Sequence, residues 1–147
     1  MKIIDYFESD KKEYWFTFIA KSDWRAAQFL VTIINENRIN ELLGNTKILL
    51  LIDEDELISF CTLADKDDIK TELSPWIGFV YTFPKYRGHR YMGLLINEAL
   101  NIAKNRGDKT VYISTNEIGL YEKYGFEFYG ILKDIDAQDS RVYKKDL

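Results

Sequence analysis

The residues best suited to chemistry gather between Pro84 and Met92, where Lys85, Arg87, His89 and Arg90 surround Gly88. From Met92 onward, Leu95, Ile96, Ala99, Ile102 and Ala103 recur at helical spacing, and Gly107 supplies a stop. The first turn of such a helix leaves backbone N–H groups without partners, and Ser, Thr, Asp or Asn usually satisfies one of them. None of these stands between Pro84 and Met92. A basic, glycine-containing turn at an uncapped helix start favours an anion: it offers free donors, the positive end of the helix dipole and cationic side chains. The expected ligand is a phosphate.

Other clusters carry less. A single His and a single Cys exclude a His/Cys zinc cluster, and any His-based nucleophilic triad would have to borrow His89 from the basic turn. The run Asp53-Glu54-Asp55-Glu56 lacks the ligand spacing of a calcium loop and reads as a solvated turn.

The elements that must position the basic turn follow from periodicity. Trp76 to Phe83 is short, aromatic and β-branched, and Pro84 stops it, which predicts a largely buried strand. Lys109 to Thr115 is a second β-rich run, so strand, helix and strand form a βαβ unit with parallel strands. Upstream, Met1 to Tyr6 predicts a short strand. Asp10 with Glu13 reads as a capping box before a helix bearing Trp15, Phe18 and Ile19. A second helix is expected from Ser22 or Asp23, carrying Ala27, Leu30, Val31 and Ile34, with its stop at Gly44-Asn45. Thr46 to Ile52 and Leu57 to Leu63 predict a hairpin. Downstream come a short helix from Gly119 to Tyr124 ended by Gly125, then strands at Phe126–Lys133 and Arg141–Lys144.

Two stretches resemble one family. Tyr86-Arg87-Gly88-His89-Arg90-Tyr91-Met92, following Pro84, is similar to the acyl-CoA signature of the GNAT acetyltransferases, Arg/Gln-x-x-Gly-x-Gly/Ala. Asn116-Glu-Ile-Gly119-Leu-Tyr121-Glu-Lys-Tyr-Gly125-Phe126 resembles the family's later Asn…Leu-Tyr-Glu-Lys-x-Gly-Phe segment. The chain departs from the pattern at Arg90 and Met92, where the family has small residues, and Gly93 comes one place late. The resemblance covers about the C-terminal half of the chain. It implies an α/β architecture with a mixed sheet, the GNAT acyl-CoA N-acyltransferase fold, as a single domain over 1–147.

The same resemblance implies transfer of an acetyl group from acetyl-CoA, as co-substrate and without a metal, to the primary amine of a small molecule or peptide. It places the pantetheine arm along the backbone of Val80, Tyr81 and Thr82, and the pyrophosphate at Arg87, Gly88, His89, Arg90, Tyr91, Met92 and Gly93. Tyr121 matches the family's general acid, which protonates the departing thiolate; its other reading is a tyrosine packed on the sheet. Asn116 either contacts the cofactor or caps the short helix. The base is open among Glu72, Asp65 and a water relay through Tyr81. Trp15 and Trp24 either line the acceptor pocket or pack in the core. The competing class is a noncatalytic acyl-CoA sensor or interaction module of the same fold.

Composition bounds these readings. The 147 residues are 46% hydrophobic and 15% aromatic, enough for a sizeable core and against disorder. A net charge of −4 disfavours a nonspecific nucleic-acid binder. There is no apolar run of membrane length and no signal-peptide pattern, and Cys61 alone allows no internal disulfide. The expectation is a cytoplasmic protein without nucleic-acid or membrane partners, compatible with a homodimer.

Overall fold

Runs such as Ile48-Leu-Leu-Leu-Ile52 are apolar at every position, so they must be covered on both faces, and the fold supplies both covers. A computed structural model describes residues 1–147. Its strands are β1 (Lys2–Asp5), β2 (Thr46–Asp53), β3 (Glu56–Ala64), β4 (Trp76–Thr82), β5 (Thr110–Ser114), β6 (Glu127–Lys133) and β7 (Asp139–Asp146). They form one seven-stranded sheet in the order β1-β2-β3-β4-β5-β7-β6. Every neighbouring pair is antiparallel except β4 and β5, the parallel pair expected from the βαβ unit. The helices are α1 (Lys12–Ile19), α2 (Arg25–Asn35), α3 (Ile39–Leu43) and α4 (Tyr91–Asn105). No helix is long and apolar enough to cross a membrane.

Alternation along the strands divides the core in two. Leu49, Leu51, Ile58, Leu63 and Ile77 face α4, where Leu95, Ile96, Ala99 and Ala103 are fully buried against them. Ile48, Leu50, Phe60 and Tyr81 face the other way, onto Trp15 and Ile19 of α1 and Ala27, Leu30 and Ile33 of α2. Each fully buried Leu or Ile stabilises by about 1.5–3 kcal/mol, so both layers hold β4 firmly from either side.

The helix starts differ from the sequence expectation. Asp10 and Glu13 form no capping box: Lys11 is the N-cap residue without a side-chain bond, and Ser9 Oγ accepts from the Lys11 N–H instead. The second helix begins at Arg25, after both residues proposed to start it. The Ser22 hydroxyl donates to Ile19 O, while Asp23 turns to another partner described below. The helix also ends at Asn35 rather than at Gly44; Asn37 adopts a left-handed φ of 56° and the chain restarts as α3. Trp15 is 4% exposed, a core residue, and only Trp24 reaches the cleft.

The feature that makes a site is in β4. Opposite the single residue Cys61 of β3, between the pairs Phe60↔Tyr81 and Thr62↔Gly78, β4 spends two residues, Phe79 and Val80. Phe79 takes a φ of 50°, a left-handed conformation disfavoured for a bulky side chain. Such a bulge bends a strand and increases its twist. On its other edge β4 pairs with β5 only through Trp76↔Tyr112 and Ile77↔Ile113. Beyond Ile77 the two parallel strands separate, and the edge of β4 from Gly78 to Thr82 is left without a ladder. At the far side of the sheet, the outer strand β6 exposes Phe128, Tyr129 and Ile131.

Candidate active site

A cleft of about 1040 Å³ opens where β4 and β5 part. Its walls are the released part of β4 (Val80, Tyr81, Thr82), the turn and first residues of α4 (Arg87, Gly88, Arg90 through Leu94), the segment after β5 (Glu117, Leu120, Lys123, Tyr124), and Asp23 with Trp24 just before α2. Most of the sequence-predicted cofactor residues therefore meet in one place.

The turn before α4 is built as an uncapped, strained junction. Gly88 has a φ of 88°, Arg90 a φ of 59°, and no side chain caps the helix at Arg90. Arg90 thus holds a left-handed conformation that glycine adopts freely and other residues at a cost of about 1–2 kcal/mol. It stands where the resembled GNAT pattern has glycine, so a backbone conformation suited to glycine carries an arginine here. Gly93 has a different purpose: a Cβ there would stand 2.9 Å from the Tyr124 ring, so its smallness seats Tyr124 against the first turn of the helix.

The cations are not all deployed toward the cleft. Lys85 points away, its Nζ 3.0 Å from Glu56 on the β2–β3 hairpin. Arg87 lines the cleft while its Nε donates to Thr82 O at 2.9 Å, and its guanidinium lies 5.5 Å from the Tyr81 ring centre. Lys123, the lysine of the Leu-Tyr-Glu-Lys segment, joins the lining from the far wall. His89 is exposed and stacks on Tyr91, with ring centres 5.3 Å apart, outside the lining.

Tyr121 lies behind the lining. It is 6% exposed, packs edge-on against Phe126 at 6.2 Å and belongs to the core layer beneath α4. Burial is the main cause that raises its phenol pKa, with Cys61, Glu117 and Tyr124 adding to the rise. The phenol therefore holds its proton, the state a donor needs. Burial likewise pushes the Cys61 thiol up to about 12, leaving it inert. Asn116 is exposed and outside the lining; the bonds at this bend come from Thr115 Oγ1, which accepts from the Glu117 N–H, and from Glu122, which accepts from the Gly119 N–H.

Of the carboxylates considered as bases, Asp65 has a structural duty: its Oδ2 accepts from the Asn45 N–H at 2.9 Å and closes the turn before β2. Glu72 is exposed on the loop before β4 and outside the lining. Tyr81 is 5% exposed and donates its hydroxyl to Asp23 Oδ1 at 2.7 Å; burial and then that bond raise its pKa. Asp67 fills the space above Gly78, where a Cβ would come within 2.6 Å of its Oδ1 and 3.3 Å of Thr62 Oγ1. Enclosure first, and the neighbouring Asp68 second, hold the Asp67 carboxyl well above the usual carboxylate range. Sequence reading missed Asp23, Lys123 and Tyr124 as residues that line the cleft. For the bulge beside Tyr81 a signal existed, an isolated Gly78 inside a strand pattern.

The fold has many relatives among solved structures. A GNAT-family acetyltransferase from Desulfovibrio desulfuricans superposes with a TM-score of 0.72 at 12% identity, over 99% of this chain and 98% of that one. A GNAT family acetyltransferase from Elizabethkingia anophelis with acetyl-CoA bound gives 0.66 at 18%, over 99% and 97%. The aminoglycoside 6′-N-acetyltransferase from Enterococcus faecium gives 0.69 at 14%, over 99% and 97%. At these identities the likeness is one of fold. No curated protein matches the sequence. The profile of the acetyltransferase (GNAT) family matches residues 5–126, from the end of β1 through the Leu-Tyr-Glu-Lys segment, and the chain belongs to that family.

Proposed function

We propose that this protein transfers an acetyl group from acetyl-CoA to a primary amine. The observation that carries the reading is the union of two features in one cleft: the unladdered edge of β4 from Gly78 to Thr82, and the uncapped basic turn that opens α4. A strand edge offers amide partners to the pantetheine arm, and the turn offers donors and positive charge to the pyrophosphate. Arg87, Gly88, Arg90, Tyr91, Met92 and Gly93 make up that anion end, with Val80, Tyr81 and Thr82 along the arm. A backbone N–H of the β4 edge polarises the thioester carbonyl as charge develops on its oxygen. Tyr121 returns a proton to the thiolate. The reading puts the protein in the cytoplasm, where Cys61 stays a buried free thiol. It also allows a homodimer through the exposed apolar side chains of β6.

A noncatalytic acyl-CoA sensor is the second reading, favoured by Arg90 and Met92 at positions where the family has small residues. One experiment separates the two: release of CoA thiol from acetyl-CoA across a panel of amines, with calorimetry of CoA binding alongside. Amine-dependent release supports the enzyme. Binding without release under any amine supports the sensor. Absence of binding heat, together with a melting curve unmoved by excess acetyl-CoA, overturns both, because a ligand at a hundredfold excess over Kd stabilises by about 2.7 kcal/mol.

A further inference from the structure

Asp23 and Trp24 belong to no motif, yet both line the cleft beside Val80, Tyr81 and Thr82. One oxygen of Asp23 is fixed by the Tyr81 hydroxyl, 2.7 Å away, and the Asp23 N–H approaches the same hydroxyl at 3.4 Å. None of the protein's ion pairs uses this carboxylate. Its charge is held in place and left unanswered. Trp24 is 38% exposed, whereas Trp15 and Trp76 are 4% and 1% exposed. Its ring lies parallel to Tyr81, 9° off with centres 6.0 Å apart, so one aromatic face is supported by the protein and the surface beside Asp23 stays open. A fixed carboxylate next to an open indole is a cation site, since charge and ring quadrupole attract the same ligand.

We propose that Asp23 and Trp24 are the acceptor subsite, and that it takes primary amines with no carboxylate next to the nitrogen. This rests on the reading of the cleft as an acetyl-CoA site. The ammonium binds the free Oδ2 of Asp23 and gives that oxygen one proton. The lone pair so released attacks the thioester carbon; the C–N bond forms, the C–S bond breaks, Tyr121 delivers its proton to sulfur, and the nitrogen's remaining extra proton, relayed through water, restores the Tyr121 phenol. Asp23 passes its own proton to water, so one ammonium and one acetyl thioester give one amide, one thiol and one proton. Tyr81 is a positioning residue that sets the direction of Oδ2. An amino acid would bring its own carboxylate against Asp23, and like charges at that range repel. Arg87, a cation on the same Tyr81 ring, opposes the ammonium until phosphate answers its charge, so the amine binds better to the CoA-saturated protein than to the free protein.

The test is the indole N–H signal of Trp24 in ¹⁵N-labelled protein, assigned with Trp24→Phe and titrated with tyramine and with tyrosine, which differ by the carboxylate. The expected result is a saturable shift with tyramine, at least about tenfold weaker with tyrosine, and tightened by CoA. Asp23→Asn keeps an oxygen for the Tyr81 hydroxyl and removes the charge. It weakens tyramine binding about 10- to 100-fold, the loss of one hydrogen bond to a charged group, while CoA binding is unchanged. Tyr81→Phe raises the KM for tyramine, and at saturating amine its kcat recovers more fully than that of Asp23→Asn. Equal response to tyramine and tyrosine, an unmoved Trp24 signal, or full tyramine affinity in Asp23→Asn overturns the proposal. The titration is also run without CoA. A protein that fails to bind CoA but passes the amine test sinks the acetyl-CoA reading alone.

Discussion

Two regions line the cleft, and they were assembled in opposite ways. The proposed anion side is one contiguous stretch, Arg87 to Gly93, in which the turn and the helix start are neighbours in sequence. The proposed acceptor side pairs Asp23 with Tyr81 across 58 residues, with the bulge of β4 beside Tyr81 and α2 starting only after Asp23. A site made by one stretch carries its own local signature. A site made by packing carries none until the fold is known.

The largest effect expected between these regions belongs to Tyr121, which serves neither binding side. Tyr121→Phe keeps the ring and its contact with Phe126, so stability, CoA affinity and amine affinity hold while turnover falls by about 10²–10⁴, the range for loss of a general acid. Steady-state rates beside calorimetry decide it. Turnover within a factor of about three of wild type, far below that range, removes Tyr121 from the mechanism and leaves it as a packing residue.

Arg90 sharpens the contrast on the anion side. Arg90→Ala should weaken CoA binding about tenfold, as expected for loss of a charge-assisted phosphate contact, and leave a phosphate-free pantetheine fragment and the amine unaffected. Arg90→Gly loses the same contact but relieves the left-handed backbone, so it should melt higher than Arg90→Ala by about 1 kcal/mol of stability. If Arg90→Gly binds CoA more tightly than wild type, the arginine obstructs the site, and the sensor reading gains.

Asp67 offers the smallest effect, on the face of the sheet that also carries Tyr81. Its pKa in the folded protein is raised above the ordinary value of 3.8, so the folded state prefers the neutral acid. Below the unfolded pKa both states are protonated and the group costs nothing; stability is lost as pH rises from there through the folded pKa. Asp67→Asn removes that loss. It should melt higher than wild type at pH 7, by on the order of 1 kcal/mol, and the gap should close near the unfolded pKa. A gap that is the same at both pH values would mean the gain comes from the amide's hydrogen bonds instead.

The element order, the parallel β4–β5 pair and the basic turn were legible because each is written in a short window: apolar runs stopped by Pro84 and Gly107, and a helix start without a cap. Helix boundaries were less so. Asp10 and Glu13 have the spacing of a capping box, but Ser9 provides the bond, and the break at Asn37 depends on a left-handed residue that composition does not mark. At the site, Arg87 and Arg90 were readable from charge and position. Lys85 was readable as charge but not in direction, since Glu56 lies 29 residues away in the chain. Asp23 looked like an ordinary helix cap, the usual job of an Asp before a helix. Only the packing of α2 on β4 showed that it faces Tyr81.

The bulge at Phe79 and Val80 also predicts a pattern in time. Amides of β4 that face β3 are locked in a ladder and should exchange with deuterated solvent only on global opening, while those from Gly78 to Thr82 that face the cleft should exchange as freely as a loop's. Saturation with CoA should slow this second set alone. The unpaired strand edge in the middle of the sheet would then be the part that CoA completes.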